Sequence, residues 1–369
     1  MAVYILVDFF IVALGFVLGG RRCFSLSNNS CNKINSGLFF FIVGMLLLFI
    51  SAFRGNFAVD YDNYVDLFYR YDGWSLQRLL EKKWFSYPEN GYLVFQYMLK
   101  KLWDDSLIIF IATSVIIVFS NLSEIRKHFV FGVLPVILFL DLGNYYTSFN
   151  TMRQVLAASI IVFGSRYLYN RNFFHYIIVV FIAFSIHTSS LVMIPVFFLS
   201  DIKMGKRGTV FFVLITIILS YLLPSIILLV QKYYWGWYGD DGYGMKGYSF
   251  NNIVRPLFLF AVPIILELFP MYGSKALSGR ETITEKELNI WRNSSYLYFL
   301  FSVLGMRIEM VERFSSFFST YAIMFFSYTV LKNTGRYRQL VIISIIVISV
   351  VFGYVTKCNT AYNPFTFIF

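Results

Sequence analysis

Long apolar runs separated by short polar breaks occupy most of this chain. Reading from break to break predicts about twelve segments that cross or half-cross a membrane, near residues 3–20, 37–53, 106–122, 129–146, 154–169, 173–186, 188–199, 209–230, 256–270, 295–311, 314–331 and 340–356. An apolar run of about 17–22 residues can span a hydrocarbon layer about 30 Å thick as a helix. The pattern therefore predicts an all-α polytopic membrane protein with a single membrane domain, residues 1–369.

The composition supports this class. Hydrophobic residues make up 58% of the chain and charged residues only 14%, whereas soluble domains are about 25% charged. We attribute the net charge of +11 to membrane orientation and lipid contact, and expect no nucleic-acid partner. The three cysteines are far apart in sequence, so neither a disulfide framework nor a cysteine metal site is expected. The first apolar run lacks a basic leader and is interpreted as a retained span.

Lysine and arginine are concentrated on one side of the predicted membrane. Six short loops on that side hold 17 of the 31 Lys and Arg residues, and the positive-inside rule makes them cytoplasmic. Both termini then lie on the outer face, as do two loops, residues 54–105 with interfacial helices and residues 231–255. The loops before and after the region 173–199 are both basic, so both are predicted to lie on the cytoplasmic face. We therefore predict that this region forms two short segments that enter and leave the membrane on the same side, and not a single crossing.

The unusual polar residues fall at or beside the outer face. The spans and their orientation follow from apolar runs and basic loops alone, so this clustering is an independent observation. The polar residues are Arg54, Asp60, Asp62, Glu89, Asn150, Arg153, Gln154, His187, Arg255, Glu309, Glu312 and Arg313. Ionisable residues in membrane segments are costly and often mark functional sites. We therefore predict a polar site close to the outer membrane surface.

Three arginines stand where helices are predicted to begin at that face: Arg153, Arg255 and Arg313. The positive end of a helix dipole together with a planar guanidinium suits phosphate. Asn150 and Gln154 are predicted to share the helix face of Arg153, which has no acidic neighbour in sequence. We predict a phosphate or pyrophosphate site made by these residues, with Arg54 as a fourth arginine.

Structural interpretations of the same arginines remain open. Arg313 could pair with Glu309 or Glu312, since both are near it in sequence. Arg255 could be a surface cation, and Arg54 could snorkel to the interface at the end of the second span.

Asp60, Glu89 and His187 are the candidates for a general base. Asp60 and Glu89 could instead cap helices, and His187 could be a structural residue at a helix junction. A second group of aromatic residues could form an interfacial belt or stack on sugars: Tyr61, Tyr64 and Tyr92.

The order of these residues resembles the EpsG/Wzy-type polysaccharide polymerase family of bacterial inner membranes. The matching stretches are RGNFAVDYDNY, ENGYLVF, FNTMRQVLAASI, FSIHTSSLVMIP, a late ERF at the start of a span, and YNPF near the C-terminus. Two positions depart from the family pattern. Ala58-Val59 stands where relatives have glycine before the first aspartate, and Pro364-Phe365 replaces a terminal Pro-Tyr.

The resemblance implies a glycosyltransferase that polymerises undecaprenyl-pyrophosphate-linked oligosaccharide repeat units at the periplasmic face, as in O-antigen, capsule or exopolysaccharide assembly. It also implies a GT-C-like helical architecture, and a flippase and a chain-length regulator as partners. Since arginines can neutralise a pyrophosphate leaving group, we expect no metal and no other cofactor. A flippase for the lipid-linked unit and a glycan ligase are the alternative functions, because both also bind lipid-linked pyrophosphate.

We predict that a topology reporter fused after Asn172 or after Gly208 reports the cytoplasm, and one fused after Tyr243 the periplasm. The basic loops cause this orientation. Phosphatase and β-galactosidase fusions would measure it. Opposite signals after Asn172 and Gly208 would show that 173–199 is a single crossing.

Overall fold

The structure is a computed structural model that describes residues 2–20, 24, 33–81, 88–199, 201–234, 250–271, 283–306, 308–358 and 365–368. Within these ranges sixteen α-helices follow one another in the chain. They are α1 (Ala2–Gly19), α2 (Lys33–Ala52), α3 (Tyr61–Arg70), α4 (Leu76–Leu80), α5 (Asn90–Leu102), α6 (Leu107–His128), α7 (Val133–Asp141), α8 (Met152–Phe163), α9 (Ser165–Tyr169), α10 (Phe173–Ile186), α11 (Val196–Leu199), α12 (Lys206–Tyr234), α13 (Phe250–Leu268), α14 (Glu285–Leu304), α15 (Glu309–Asn333) and α16 (Arg338–Cys358).

Among the residues that the structure describes, five helical segments are long and apolar enough to cross a membrane: Ile34–Ala52, Leu107–His128, Lys206–Ile226, Met310–Asn333 and Gly335–Lys357. Shorter apolar helices accompany them, including α1, α8 and α10. The expected all-helical, polytopic membrane architecture is supported. The count of twelve crossings and the GT-C-like arrangement stay predictions. Much of the outer loop 231–255, and Tyr362–Pro364 of the C-terminal motif, lie outside the described residues.

Three predicted spans are broken in the structure, and the one at 154–169 divides at Gly164 into α8 and α9. The segment predicted at 129–146 contains only the nine-residue α7, which begins after Gly132 in the left-handed region (φ 58°). It is followed by a 3₁₀ turn, Tyr146–Phe149. The segment predicted at 188–199 is a 3₁₀ stretch, Thr188–Met193, and then the single turn α11. Pro195 separates these two pieces, because proline has no N–H to continue a helical ladder.

The predicted start of α14 is wrong. The span predicted at 295–311 belongs to α14, which begins ten residues earlier, at Glu285, and ends at Leu304. A capping box fixes that start: the Thr284 side chain accepts from the Glu287 N–H, and the Glu287 carboxylate accepts from the Thr284 N–H at 2.7 Å. The polar residues of the first turns were mistaken for a loop, although they lie within the helix.

Helix α15 is the centre of the bundle. In its apolar portion 89% of the residues are buried, compared with 17% for α12 and 28% for the segment containing α16. Helices α14, α13, α8 and α7 pack around it. The outward faces of α12 and α16 keep large apolar side chains exposed, including Phe211, Ile218 and Val347. Such faces are suited to lipid contact.

The outer loop 54–105 contains α3, α4 and α5. Helix α3 buries Tyr64, Leu67 and Phe68 and exposes its other face. Helix α5 packs against α10, and the two approach each other at Gly91. A Cβ atom added there would lie 2.7 Å from the backbone oxygen of Ser185. Glycine at this position therefore lets the loop dock close to the bundle, and Glu89, two residues earlier, belongs to the site described below.

We predict that Gly91→Ala destabilises the protein by about 1–3 kcal/mol, because the new methyl group would overpack the contact between α5 and α10. Thermal unfolding in detergent measures this as a lowered Tm. Gly208→Ala is the matched control, since its Cβ would meet nothing closer than 3.8 Å and alanine favours a helix. Equal Tm values for the two variants would contradict the close contact.

Candidate active site

A polar cleft of about 180 Å³ lies between the outer loop and three segments of the bundle. Its walls come from α3, the start of α8, the junction after α10 and the second turn of α15. The lining residues are Asp60, Asn63, Tyr64, Thr151, Arg153, Gln154, His187 and Arg313. Six of these eight residues were candidates from the sequence. The cleft therefore gathers residues that are up to 253 positions apart in the chain.

Arg153 is the second residue of α8, so it stands in the first turn as the sequence predicts. Its side chain is buried and forms an ion pair with Glu89, 64 residues away in sequence. The guanidinium carbon lies 5.5 Å from the centre of the Tyr92 ring. Arg153 thus has the acidic partner that its sequence neighbourhood lacks, and this partner comes from the outer loop.

Both carboxylate oxygens of Glu89 are engaged. Oε2 accepts from Arg153, and Oε1 accepts from the Thr188 backbone N–H at 3.1 Å. His187 Nδ1 lies 3.2 Å from the same Oε1. Burial raises the pKa of Glu89, but the contact with His187 and the charge of Arg153 outweigh burial and lower the pKa to about 2. Glu89 is therefore a carboxylate at neutral pH that links Arg153 to His187. It begins α5 as expected, yet its side chain makes no capping hydrogen bond.

His187 lies at the junction between α10 and the 3₁₀ stretch that follows. Its backbone is extended (φ −153°), which ends α10 and turns the chain. The imidazole is mostly buried and lines the cleft. A carboxylate at Nδ1 favours the tautomer with its proton there, which leaves Nε2 as the basic nitrogen. The neighbouring Ser190 hydroxyl donates to the His187 carbonyl at 2.7 Å.

The remaining cleft residues support one another. Tyr64 donates its hydroxyl proton to the Asn150 carbonyl at 3.0 Å. The Gln154 side-chain amide donates to the Arg313 carbonyl and so ties α8 to α15. Asp60 occupies the N-cap position of α3 without a side-chain capping bond, and its Oδ1 accepts from Asn63 at 3.3 Å.

Three positional expectations are wrong. Helix α13 begins at Phe250 and α15 at Glu309, so Arg255 and Arg313 stand in second turns and not at helix starts. Asn150 precedes α8, whose N-cap is Thr151, so it does not share the helix face of Arg153. The residues before Arg255 were predicted as loop 231–255, and Glu309 was assigned to the preceding span 295–311, because each helix start was expected at the first apolar residue.

Arg255 and Arg54 lie outside the cleft. Arg255 lines a second cavity, and its guanidinium donates to the carbonyls of Leu142 at 2.6 Å and Gly143 at 3.0 Å. Arg54 is 1% exposed and donates to the Ser51 carbonyl. Its guanidinium carbon lies 4.7 Å from the Phe110 ring centre and 5.0 Å from that of Phe149. Burial lowers the pKa of Arg54 to about 10, so it stays charged. Arg54 is thus packed inside the protein and does not snorkel.

Two of the predicted sugar-stacking rings are unsuited to that contact. Tyr92 is completely buried, so it has no face to offer a ligand. Tyr61 stacks on Phe110, with ring centres 4.6 Å apart and planes 3° from parallel. Tyr64 lines the cleft, but its ring is buried, and its hydroxyl donates to the Asn150 carbonyl.

Asn63 and Thr151 line the cleft but were missed from the sequence. Asn63 follows Asp60 by three residues, which is helical spacing, so the assignment of α3 could have found it. Thr151 precedes a strongly apolar helix and is a good N-cap residue type. Neither side chain is charged, so neither stands out in an apolar chain as the arginines and carboxylates do.

A model of the EpsG family matches residues 37–367. This match covers most of the chain, including every residue of the cleft. The chain belongs to the EpsG family. EpsG proteins are a Wzy-type polysaccharide polymerase family, so membership supports a role in polysaccharide polymerisation. No curated protein and no solved structure matches the chain.

We predict that Glu89→Gln lowers the Tm of this EpsG protein at pH 7. Because folding lowers the pKa of Glu89, its charge stabilises the folded state fully above about pH 4.5, and this contribution is lost as the pH falls towards 2. The Tm difference from the wild type should therefore shrink below pH 4.5 in detergent melts. Glu81→Gln, an exposed carboxylate of the same loop, should change little at either pH. A constant deficit at all pH values would contradict the ion-pair role.

Proposed function

We propose that this protein polymerises undecaprenyl-pyrophosphate-linked oligosaccharide repeat units at the periplasmic face of the bacterial inner membrane. The observation that carries this proposal is the cleft, in which two arginines and a carboxylate-bound histidine meet beside the start of α8. Family membership supports the polymerase class. The lipid carrier, the face of the membrane and the chemistry below are our inference.

Arg153 and Arg313 are proposed to bind the pyrophosphate of the donor, which carries the growing chain. Arginine forms bidentate contacts with phosphate oxygens, and the start of α8 adds the positive end of a helix dipole. Glu89 contacts Arg153 and His187, and both of its carboxylate oxygens are already engaged. We therefore assign Glu89 a positioning role and not that of a base.

The proposed reaction is a single group transfer. A sugar hydroxyl oxygen of the acceptor unit attacks the anomeric carbon of the donor, and the bond from that carbon to the pyrophosphate oxygen breaks. His187 Nε2 takes the hydroxyl proton, and Glu89 stabilises the imidazolium that forms. The electron pair of the broken bond leaves with undecaprenyl pyrophosphate, whose charge Arg153 and Arg313 stabilise. Asp60 lies at the same cleft, where we propose that it accepts a hydrogen bond from a sugar hydroxyl.

The test of the function uses a strain in which this gene is deleted. Surface polysaccharide, separated on a gel, should show single repeat units on their acceptor and no longer chains, and the wild-type gene should restore the ladder. Loss of all repeat units, including single ones, would favour a flippase or a ligase instead. A flippase and a chain-length regulator are the proposed partners in the wild-type strain.

We predict that Arg153→Lys abolishes at least nine-tenths of chain extension in the deletion strain, although the protein still accumulates in the membrane. Lysine keeps the charge but loses the planar fork that binds both Glu89 and phosphate. The polysaccharide ladder and an immunoblot of membranes measure the two effects. Arg166→Lys is the matched control, because Arg166 is exposed and its guanidinium donates to the hydroxyl of the adjacent Tyr167, at 2.6 Å. Full activity of Arg153→Lys would rule out bidentate binding.

A further inference from the structure

A second cavity, of about 290 Å³, lies next to the cleft. It is bounded by the last residue of α7, the turn after it, and the ends of α13, α14, α15 and α16 that the topology places at the outer face. Its charged residues are Asp141, Arg255, Glu312 and Lys357. Its volume is near the lower end of the range for small-molecule sites, about 300–1,000 Å³.

The two cavities share a wall. Glu312 lines the second cavity, whereas the next residue, Arg313, lines the cleft. Thr147 lines the second cavity, and its carbonyl accepts from the hydroxyl of Thr151, which lines the cleft, at 3.1 Å. A ligand in the second cavity would therefore lie about one helical turn from the proposed reaction centre.

The chemistry of the lining favours a neutral polyol. Two carboxylates, Asp141 and Glu312, would repel a phosphate. Two cations, Arg255 and Lys357, would repel a metal ion, and Lys357 already donates to Asp141 Oδ1 at 2.5 Å. Sugar hydroxyls donate and accept hydrogen bonds at once, so they match a lining that offers both signs of charge beside hydroxyl groups.

Two buried polar atoms at this cavity lack a hydrogen-bond partner among the described residues: the Tyr146 hydroxyl and Asp141 Oδ2. Tyr146 is 4% exposed and the Asp141 side chain is fully buried, so both atoms have lost bulk solvation without a described partner in exchange. The carboxylate oxygen of Asp141 accepts hydrogen bonds, whereas the Tyr146 hydroxyl can donate one. A pair of sugar hydroxyls provides the matching donor and acceptor.

We infer that the second cavity binds the glycan of the acceptor unit and presents its hydroxyl to the cleft. This inference rests on the proposed function, since it assigns the second substrate of that reaction. It also separates Arg255 from the pyrophosphate site: the backbone carbonyls of Leu142 and Gly143 hold its guanidinium in a fixed position at the glycan cavity.

The test uses two adjacent tyrosines of the full-length protein in detergent. The probe is the free oligosaccharide released by mild acid from the repeat units of the deletion strain. Its dissociation constant is measured by saturation-transfer NMR. Tyr146→Phe removes a hydroxyl without a described partner, so we expect binding weakened roughly three- to tenfold and an undiminished Tm. Tyr145→Phe is the control: its hydroxyl donates to the Leu47 carbonyl at 2.7 Å, so the Tm should fall and the affinity should stay.

A kinetic measurement separates acceptor from donor glycan. With the free oligosaccharide as acceptor and a lipid-linked chain as donor, Tyr146→Phe should raise KM for the oligosaccharide and leave kcat within about twofold. An unchanged affinity and KM in Tyr146→Phe, or an equal loss in Tyr145→Phe, would overturn the inference while the polymerase function stood. Wild-type protein that binds the oligosaccharide but extends no chains would instead overturn the proposed function.

Discussion

The buried ion pair between Arg153 and Glu89 is the interaction on which the site depends. Leaving either charge unpaired at this depth would cost several kcal/mol, so α8 and the outer loop must meet for the fold to be stable. The same contact brings His187 beside Glu89, because Thr188 N–H and His187 Nδ1 both approach Oε1. One carboxylate therefore joins the bundle, the loop and the candidate base.

Packing around this pair explains why the site is formed from distant parts of the chain. The close approach of α5 to α10 at Gly91 places Glu89 at the end of α10, where His187 interrupts the helix. Gln154 fixes the start of α8 to the second turn of α15, so Arg313 enters the same cleft. Helix α15 is the buried centre of the bundle, which makes it a rigid support for both cavities.

The arrangement also divides the polar residues of the outer face into three environments. Arg153 and Arg313 line the cleft together with Asp60, and Glu89 pairs with Arg153. Arg255 lies with Asp141, Glu312 and Lys357 in a cavity of balanced charge. Arg54 is packed between aromatic rings, and its strand-like contact with Phe367 joins the C-terminal segment to the end of α2. These arginines share a side chain and a predicted depth in the membrane, yet they lie in three different environments.

The sequence alone determined the class of protein, because apolar runs of membrane length need no tertiary contact to be recognised. It also identified most cleft residues, since charged groups near membrane helices are rare enough to stand out. Only the tertiary structure decided which of them meet: the partner of Arg153 is 64 residues away, and the separation of Arg255 from Arg153 follows from the broken segment after α7. Pairing across such distances depends on how helices pack, and hydropathy and charge along a chain do not encode the direction of a side chain.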